Sequence, residues 1–285
     1  MGTKRIGHAR IRSLINENLN QLHPVLKINA GAAGSQGATK IIIGKNGDST
    51  GTTANPYTES ATKLYEFGTM LFDGDRVYRY VGMGAGAVTA GKTLQHRAVH
   101  HANHRDLAVA SNVAAGATSI TVTFGGDTDA AEDLYAGGYI AINDGTGEGQ
   151  MFKIKGHAAV DAGVSTACTL NLFDAVSTAL ASADSKADLI TNVYDDLIIA
   201  PAAETGAVVG VTVIDMTAAY YGWVQIGGPC AVLQVGTVVL GNNVVRSGGT
   251  AGGVAPATDD LLTDLGECMV VNGTGDYCVI WLRLE

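Results

Sequence analysis

Short segments of alternating apolar and polar residues, separated by glycine-containing turns, make up most of the chain. ATSITVTF (residues 117–124) alternates and is rich in β-branched residues, and GGYIAINDGTGEGQMFKIKGH (137–157) holds two such segments around a glycine-rich connection. Alternation of this kind is typical of strands, and glycines between strands are typical of tight turns. With 38 glycines and few amphipathic stretches of helical length, the chain is predicted to be mainly β.

The predicted strands fall into modules. YEFGTMLFDGDRVYRYVGMG (65–84) predicts two strands joined at the turn Asp73-Gly74. The spacing of the later strands favours small barrels or sandwiches. We therefore predict two or three small β-barrel or β-sandwich modules in tandem with an N-terminal amphipathic helical arm. The predicted ranges are 1–28 for the arm, 29–106 for an extended or β segment, 107–201 for a β module and 202–285 for a C-terminal β module.

Residues 4–22 give the clearest helical pattern, because apolar residues recur at steps of three and four until Pro24 ends the segment. Residues 1–30 hold five cations against Glu17, a balance of +4, so the formal net charge of −9 leaves −13 for the rest of the chain. A short helix is marginal alone, so we predict that this basic arm docks on another subunit or on the body. Its predicted interface residues are Lys4, Arg5, Arg10, Ile11, Arg12, Leu14, Ile15 and Leu19.

Charge and hydropathy exclude two classes of partner. A net charge of −9 argues against general nucleic-acid binding. No apolar run reaches the roughly 18 residues of a membrane span, and the basic N-terminus lacks the apolar core of a signal peptide. We therefore expect a soluble protein, made in a cytoplasm, that binds neither nucleic acid nor membrane directly.

The four cysteines are too far apart in sequence for a CxxC metal knuckle. They lie among apolar residues, as in GPCAVL and DYCVIW, which favours buried free thiols. A disulfide between Cys268 and Cys278, across a hairpin, is the alternative.

No catalytic motif stands out. DGTGEG (144–149) resembles a phosphate loop only superficially, because a strand rather than a helix follows it, and a hairpin connection with positive φ is the preferred interpretation. A calcium site from Asp144 and Glu148 is the weaker alternative, because few oxygen ligands are available. Nothing supplies a nucleophile, a base and an orienting group together, so we predict no enzyme activity and no cofactor.

HRAVHHANHRD (96–106) holds four of the seven histidines, namely His96, His100, His101 and His104. On a helix His96 and His104 would lie about 12 Å apart, too far to share one metal ion. The preferred interpretation is a hydrogen-bonded connector between modules, at a module or subunit boundary, with no bound metal. The alternative is a protonation-sensitive contact between subunits.

The order of several sequence blocks resembles that of virion structural proteins from marine tailed bacteriophages. These blocks are KRIGHARIRSLINENL, ANHRDLAVASNVAAGATSITVTFG, YAGGYIAINDGTGEGQMFKIKGH, LITNVYDDLIIAP, YGWVQIGGPCAVL and DYCVIWLRL. The resemblance covers nearly the whole chain and carries no catalytic residue. It implies a structural role on the capsid surface, as a decoration or cement protein that forms a homotrimer and binds the major capsid protein.

Two other functions compete with capsid decoration. A tail, neck or fibre component would share the β-rich composition, although a fibre usually shows long repeats and none is evident. A carbohydrate-binding module would need exposed aromatic residues, and Trp223 and Trp281 both lie in strand-like runs that predict burial.

Overall fold

A computed structural model of the chain describes residues 54–97, 101–257 and 263–285, together with the backbone of strands at 26–29 and 40–43. The predicted helical arm, with its eight predicted interface residues, lies outside the described residues. His100 also lies outside them. Within the described residues, no helix has the length and apolarity that crossing a membrane requires.

The described part of the chain is mainly β, as predicted, with a single turn of 3₁₀ helix at Ala102–His104. Its strands, numbered in chain order, are β1 (Leu26–Asn29), β2 (Lys40–Ile43), β3 (Met70–Asp73), β4 (Arg76–Gly82), β5 (Thr93–Gln95), β6 (Leu107–Val109), β7 (Ser119–Thr123), β8 (Tyr139–Asp144), β9 (Met151–Gly156), β10 (Ala167–Leu172), β11 (Lys186–Ile190), β12 (Ile198–Ile199), β13 (Val208–Thr212), β14 (Tyr221–Leu233), β15 (Asn243–Arg246), β16 (Val254–Pro256), β17 (Asp264–Val270) and β18 (Tyr277–Arg283).

The strands belong to two compact units. Residues 96–195 form one unit, in which β10-β7-β6-β11-β8-β9 close into an antiparallel barrel. Residues 1–95 and 196–285 form the other, in which a curled twelve-stranded sheet follows the path β1-β2-β3-β4-β14-β18-β17-β15-β16. A branch of this sheet runs from β14 through β13 and β5 to β12.

The tandem order of modules predicted from the sequence is therefore corrected. The segment predicted over 29–106 and the module predicted over 202–285 share one sheet, because β4 pairs with β14 and β5 pairs with β13. The barrel is an insertion within that unit. Even β12, which was assigned to the 107–201 module, pairs with β5 in the large sheet. Pairing over more than a hundred residues leaves no trace in local periodicity, which is why the sequence pattern misses it.

The barrel core follows directly from alternation along its strands. In β10 every second side chain is buried, and β9 repeats the pattern. The residues predicted to point inward from β8 and β9, Ile140, Ile142, Phe152 and Ile154, are all buried in one cluster. The DGTGEG connection joins these two strands, and Gly145, Gly147 and Gly149 have φ of 80°, 84° and 84°, as predicted for a hairpin connection.

The hairpin predicted at Asp73-Gly74 joins β3 to β4, and Gly74 has φ 67°. The sequence leaves open which face of β4 is buried. The structure buries the tyrosine face, because Tyr78 and Tyr80 pack with Leu71 and Trp223 in one core cluster.

Truncating the barrel core tests this packing. We expect Ile154→Ala to lower the free energy of unfolding by about 2–5 kcal/mol, because it removes a buried side chain and leaves a cavity. The matched control is Val164→Ala, since Val164 is 84% exposed and should change stability little. Urea denaturation of both variants measures the difference, and equal midpoints would contradict the barrel core described above.

Candidate interaction surface

The predicted histidine group divides between two environments. His96 begins the barrel unit, and its Nδ1 lies 2.7 Å from the carbonyl oxygen of Arg97. His101 is exposed and caps the 3₁₀ helix, since its Nδ1 accepts a hydrogen bond from the backbone N–H of Asn103 (3.1 Å). His104 is fully buried. A buried imidazole is not available to a partner, so the interface role predicted for His104 does not fit its burial.

His104 belongs to a buried network that the sequence did not predict. Its Nε2 lies 3.0 Å from the carbonyl oxygen of Thr128, which can only accept, so Nε2 carries the hydrogen. Its Nδ1 then accepts from the hydroxyl of Tyr135 at 2.5 Å. The backbone N–H of Tyr135 in turn donates to Nε2 of His157 (3.1 Å), whose Nδ1–H donates to the carbonyl of Ala158 (2.8 Å). Both imidazoles are therefore neutral in this arrangement.

Burial lowers the pKa of His104 below its ordinary value of 6.5, and the nearby His101 and His157 lower it further, against the opposing hydrogen bond to Thr128. A group whose pKa is lower in the folded state favours folding fully above its unfolded pKa. That contribution is lost as the pH falls from about 6.5 through the folded-state pKa.

Acid should therefore destabilise the barrel through His104. We expect the melting temperature to be lower at pH 5 than at pH 7.5, with one proton contributing a slope of at most about 1.4 kcal/mol per pH unit. His104→Gln should reduce this pH dependence, although it lowers stability at pH 7.5 by disrupting the network. His96→Gln is the control, and it should retain the wild-type pH dependence. Equal pH dependence in the His104→Gln variant would contradict this role.

All four cysteines are buried free thiols, as predicted. The alternative of a Cys268–Cys278 disulfide is wrong, because Cys268 lies opposite Ile280 and Cys278 lies opposite Val232. Burial raises the pKa of Cys168 and Cys278 to about 11 and that of Cys230 to about 12. The thiolate is the reactive form of cysteine. Burial therefore slows the reaction of these thiols in two ways: it blocks the reagent, and it raises the pKa so that little thiolate is present.

We therefore expect the native protein to react very slowly with a thiol reagent such as DTNB at pH 8. Four thiols per chain should become reactive on denaturation. Rapid modification of one or more thiols in the native protein would contradict the burial described here.

Among the described residues, no three His, Cys, Asp or Glu side chains form a group that could hold a metal ion, and this includes Asp144 and Glu148.

The candidate interaction surface is apolar and lies on strands β14, β18 and β17. Antiparallel partners point to the same side of a sheet, and β18 pairs with both β14 and β17. The register places Pro229 beside Trp281, Ala231 beside Val279, and Val279 beside Val270.

One side of this three-stranded region is an uncovered apolar surface. We call it the apolar face, and its residues are Pro229, Ala231, Val270, Tyr277, Val279 and Trp281. Three of its large hydrophobic side chains are exposed, by 47% for Val270, 44% for Tyr277 and 41% for Trp281. Met269 and Val271, on either side of Val270 in sequence, are also exposed. Exposed Val239 and Leu240 come just before Gly241 and Asn242, which are hydrogen-bonded to Cys268 of β17.

The opposite side of the same strands is the core of the unit, where Cys230, Val232, Cys278 and Ile280 pack together. An antiparallel sheet at a protein surface normally turns its second face, lined by polar residues, to water. Here the second face is apolar over most of its length, with Glu267 and Arg283 on the same side at the end near Trp281. Contiguous exposed apolar patches of this kind mark interaction sites.

The first half of β14 carries aromatic side chains that are covered. Tyr80 and Trp223 are cross-strand partners on β4 and β14, and Tyr65 packs on both with ring centroids 5.1 and 5.3 Å away. The cover consists of the coil at 54–67, in which the hydroxyl of Tyr57 accepts from Arg76. At the apolar face, the loop at 89–91 lies against Tyr277, whereas Val270 and Trp281 remain exposed.

A groove of about 470 Å³ lies where the cover ends. Tyr57, Arg76, Asp215 and Tyr277 line it together with Pro229 and Ala231 of the apolar face. The Arg76 guanidinium donates to the Tyr57 hydroxyl, and Asp215 accepts from the backbone N–H of Ala90 at 2.8 Å. These contacts hold the polar groups of the groove in place.

Tyr277 is positioned by the backbone beneath it. Gly91 has φ 71°, and a Cβ at this position would lie 2.4 Å from the Tyr277 ring. Only glycine therefore lets the ring lie this close to the loop. The Tyr277 ring thus packs against the loop on one side while nearly half of the side chain stays exposed, so that a partner could contact it without moving it.

The chain matches no protein-family model, no curated protein and no solved structure. The site must therefore be interpreted from its own geometry.

Trp281 is the residue that the sequence analysis placed wrongly. Trp223 is buried as predicted, but Trp281 points to the uncovered side of β18. The only sequence indication of this exposure is in YCVIWLR (277–283), where the residues that would point to each face of the strand are mostly apolar. Such a strand is either buried on both faces or exposes one apolar face, and sequence alone does not separate the two cases.

Proposed function

We propose that this protein is a structural subunit that decorates the capsid of a tailed bacteriophage, binding copies of itself and the major capsid protein. The observation that carries the proposal is the apolar face, which is a preformed contact surface on a rigid sheet. The order of sequence blocks, which resembles that of marine phage virion proteins, supports the capsid as the setting.

The composition of the apolar face suits association. Tryptophan and tyrosine dominate the binding energy of interfaces, and fully burying one large apolar side chain contributes about 1.5–3 kcal/mol. Trp281 and Tyr277 are separated by Val279 on one strand, so a partner that covers one covers both. A standard interface buries roughly 800 Å² on each partner, so the apolar face would form its centre and the polar surroundings its rim.

The groove favours a second candidate function, the recognition of a short glycan. Half-exposed Tyr57 and Tyr277 offer ring faces, and Arg76 and Asp215 offer a donor and an acceptor. A glycan screen separates the candidates: binding that is lost in Tyr57→Ala would favour glycan recognition, and the absence of any hit would favour the structural role.

A charge placed on the apolar face tests self-association. We expect the wild-type chain to sediment as an oligomer, a trimer if the resemblance holds, and Val270→Asp to weaken association more than tenfold. The reason is that burying an unpaired charge costs at least about 2 kcal/mol. Val164→Asp is the control, since it adds the same charge at an exposed position of the barrel unit. Equal sedimentation of both variants and wild type would contradict a role for the apolar face.

Copy number on purified phage particles tests the setting. Decoration of a shell requires hundreds of copies per particle, whereas tens of copies would point to the tail, neck or fibre. Gel densitometry against the major capsid protein measures the ratio.

A further inference from the structure

We infer that the apolar face receives the N-terminal arm, residues 4–22, of a second copy of this chain. The inference rests on the proposed function, because it names the partner for the same surface. The alternative partners are the apolar face of another copy and a different protein, and the experiment below separates them.

The two surfaces are of similar length. The apolar stripe of the arm runs from Ile11 to Leu22, which is about 17 Å along a helix axis. The apolar face runs from Tyr277 to Trp281, which is about 13 Å along a strand. Its width, from β14 across β18 to β17, is about 10 Å and equals the diameter of one helix. One helix therefore covers the face.

The charges also agree. The arm carries Lys4, Arg5, Arg10 and Arg12, whereas the chain after residue 30 has a formal balance of −13. Asp276, which precedes Tyr277, and Asp215, which lines the groove, border the apolar face. Glu267 lies opposite Trp281 and is already bound to Arg283.

Two arginines also border the face, but both interact with acceptor side chains of the same chain. Arg283 binds Asp264 (3.2 Å) and Glu267 (2.9 Å), and Arg76 binds Tyr57 and lies 3.7 Å from Asp73. The local charge is therefore not repulsive to a basic helix.

The position of β1 favours a second copy over the chain's own arm. Cross-strand pairing places Leu26 in line with Ile43, Met70, Arg79 and Val224, which together form one row across the sheet. The centre of the apolar face lies on a different row, that of Ala231 and Val279. Five strand spacings and six rows separate the two points, because the bulge in β14 takes up one residue, and this is about 31 Å measured along the curled sheet. Residues 22–26 span at most about 14 Å, so the middle of the stripe reaches only about 22 Å from Leu26.

An arm-to-face contact joins two different surfaces, so each copy both gives and receives an arm. Such heterologous contacts close into rings when the rotation between copies allows it. A ring of three copies would have three arms on three apolar faces, which leaves no apolar face uncovered.

Cross-linking between two different variants tests the contact. Asn18 lies within the apolar stripe of the predicted helix and Asn20 lies on the opposite side. Full-length Asn18→Cys, carrying an affinity tag, is mixed with untagged Val270→Cys and treated with a short bismaleimide. We expect a cross-linked pair of one tagged and one untagged chain. Asn20→Cys with Val270→Cys, Asn18→Cys with Val164→Cys, and wild type with its four buried thiols should give none.

Each other result has a defined meaning when sedimentation is measured on the same samples. If Val270→Cys alone cross-links to itself, the face binds another face and the inference is overturned. If wild type is oligomeric but Asn18→Cys and Val270→Cys do not cross-link, the arm is not the occupant although self-association stands. If wild type is monomeric and does not cross-link, the inference and the proposed self-association both fail.

Trp281 gives an independent readout. The full-length double variant Leu14→Asp/Leu19→Asp should lose self-association and shift tryptophan emission to the red, because Trp281 becomes hydrated. Asn20→Asp, with its charge on the polar side of the arm, should behave as wild type. The red shift should be absent when the double variant also carries Trp281→Phe, since Trp223 is buried. An oligomeric double variant with unchanged emission would overturn the inference.

Discussion

The larger unit depends on one strand. β14 runs for 13 residues and pairs with β4 along its first half and with β18 along its second. It thereby joins a segment near the start of the chain to the last strand. The register shifts between Gln225 and Gly227, where the side-chain amide of Gln225 donates to the carbonyls of Gly227 and Pro229. This bulge separates the two halves of the strand, and the two halves have different surroundings.

The difference between the halves of β14 is the basis of the proposed function. Along the first half, the coil at 54–67 covers the aromatic side chains, so Trp223 is buried. Along the second half, Val270 and Trp281 of the apolar face remain exposed among the described residues. The free energy available from burying that surface remains unused in the single chain. Under the proposed function, association with a partner would recover it.

Local features of the fold could be predicted from the sequence, and long-range ones could not. The hairpin at Asp73-Gly74 and the inward residues of β8 and β9 follow from turn chemistry and from period-two alternation. The pairing of β4 with β14 does not, because about 140 residues separate the partners and alternation carries no information on which strand lies alongside. The candidate site could not be predicted for a related reason: the exposure of Trp281 depends on which distant segments pack over β18, and no local pattern records that.

The ends of the barrel insertion meet in the large sheet. Gln95 closes β5 immediately before the insertion, and it pairs with Ile198, which opens β12 soon after it. Paired strands lie about 4.8 Å apart, so the chain leaves the sheet and re-enters it at almost the same place. A barrel joined in this way is interchangeable in principle: its hundred residues could be shortened, enlarged or replaced by a tight turn without altering a single register in the host sheet. The barrel unit can thus vary in length and sequence while the strand pairing of the larger unit is preserved.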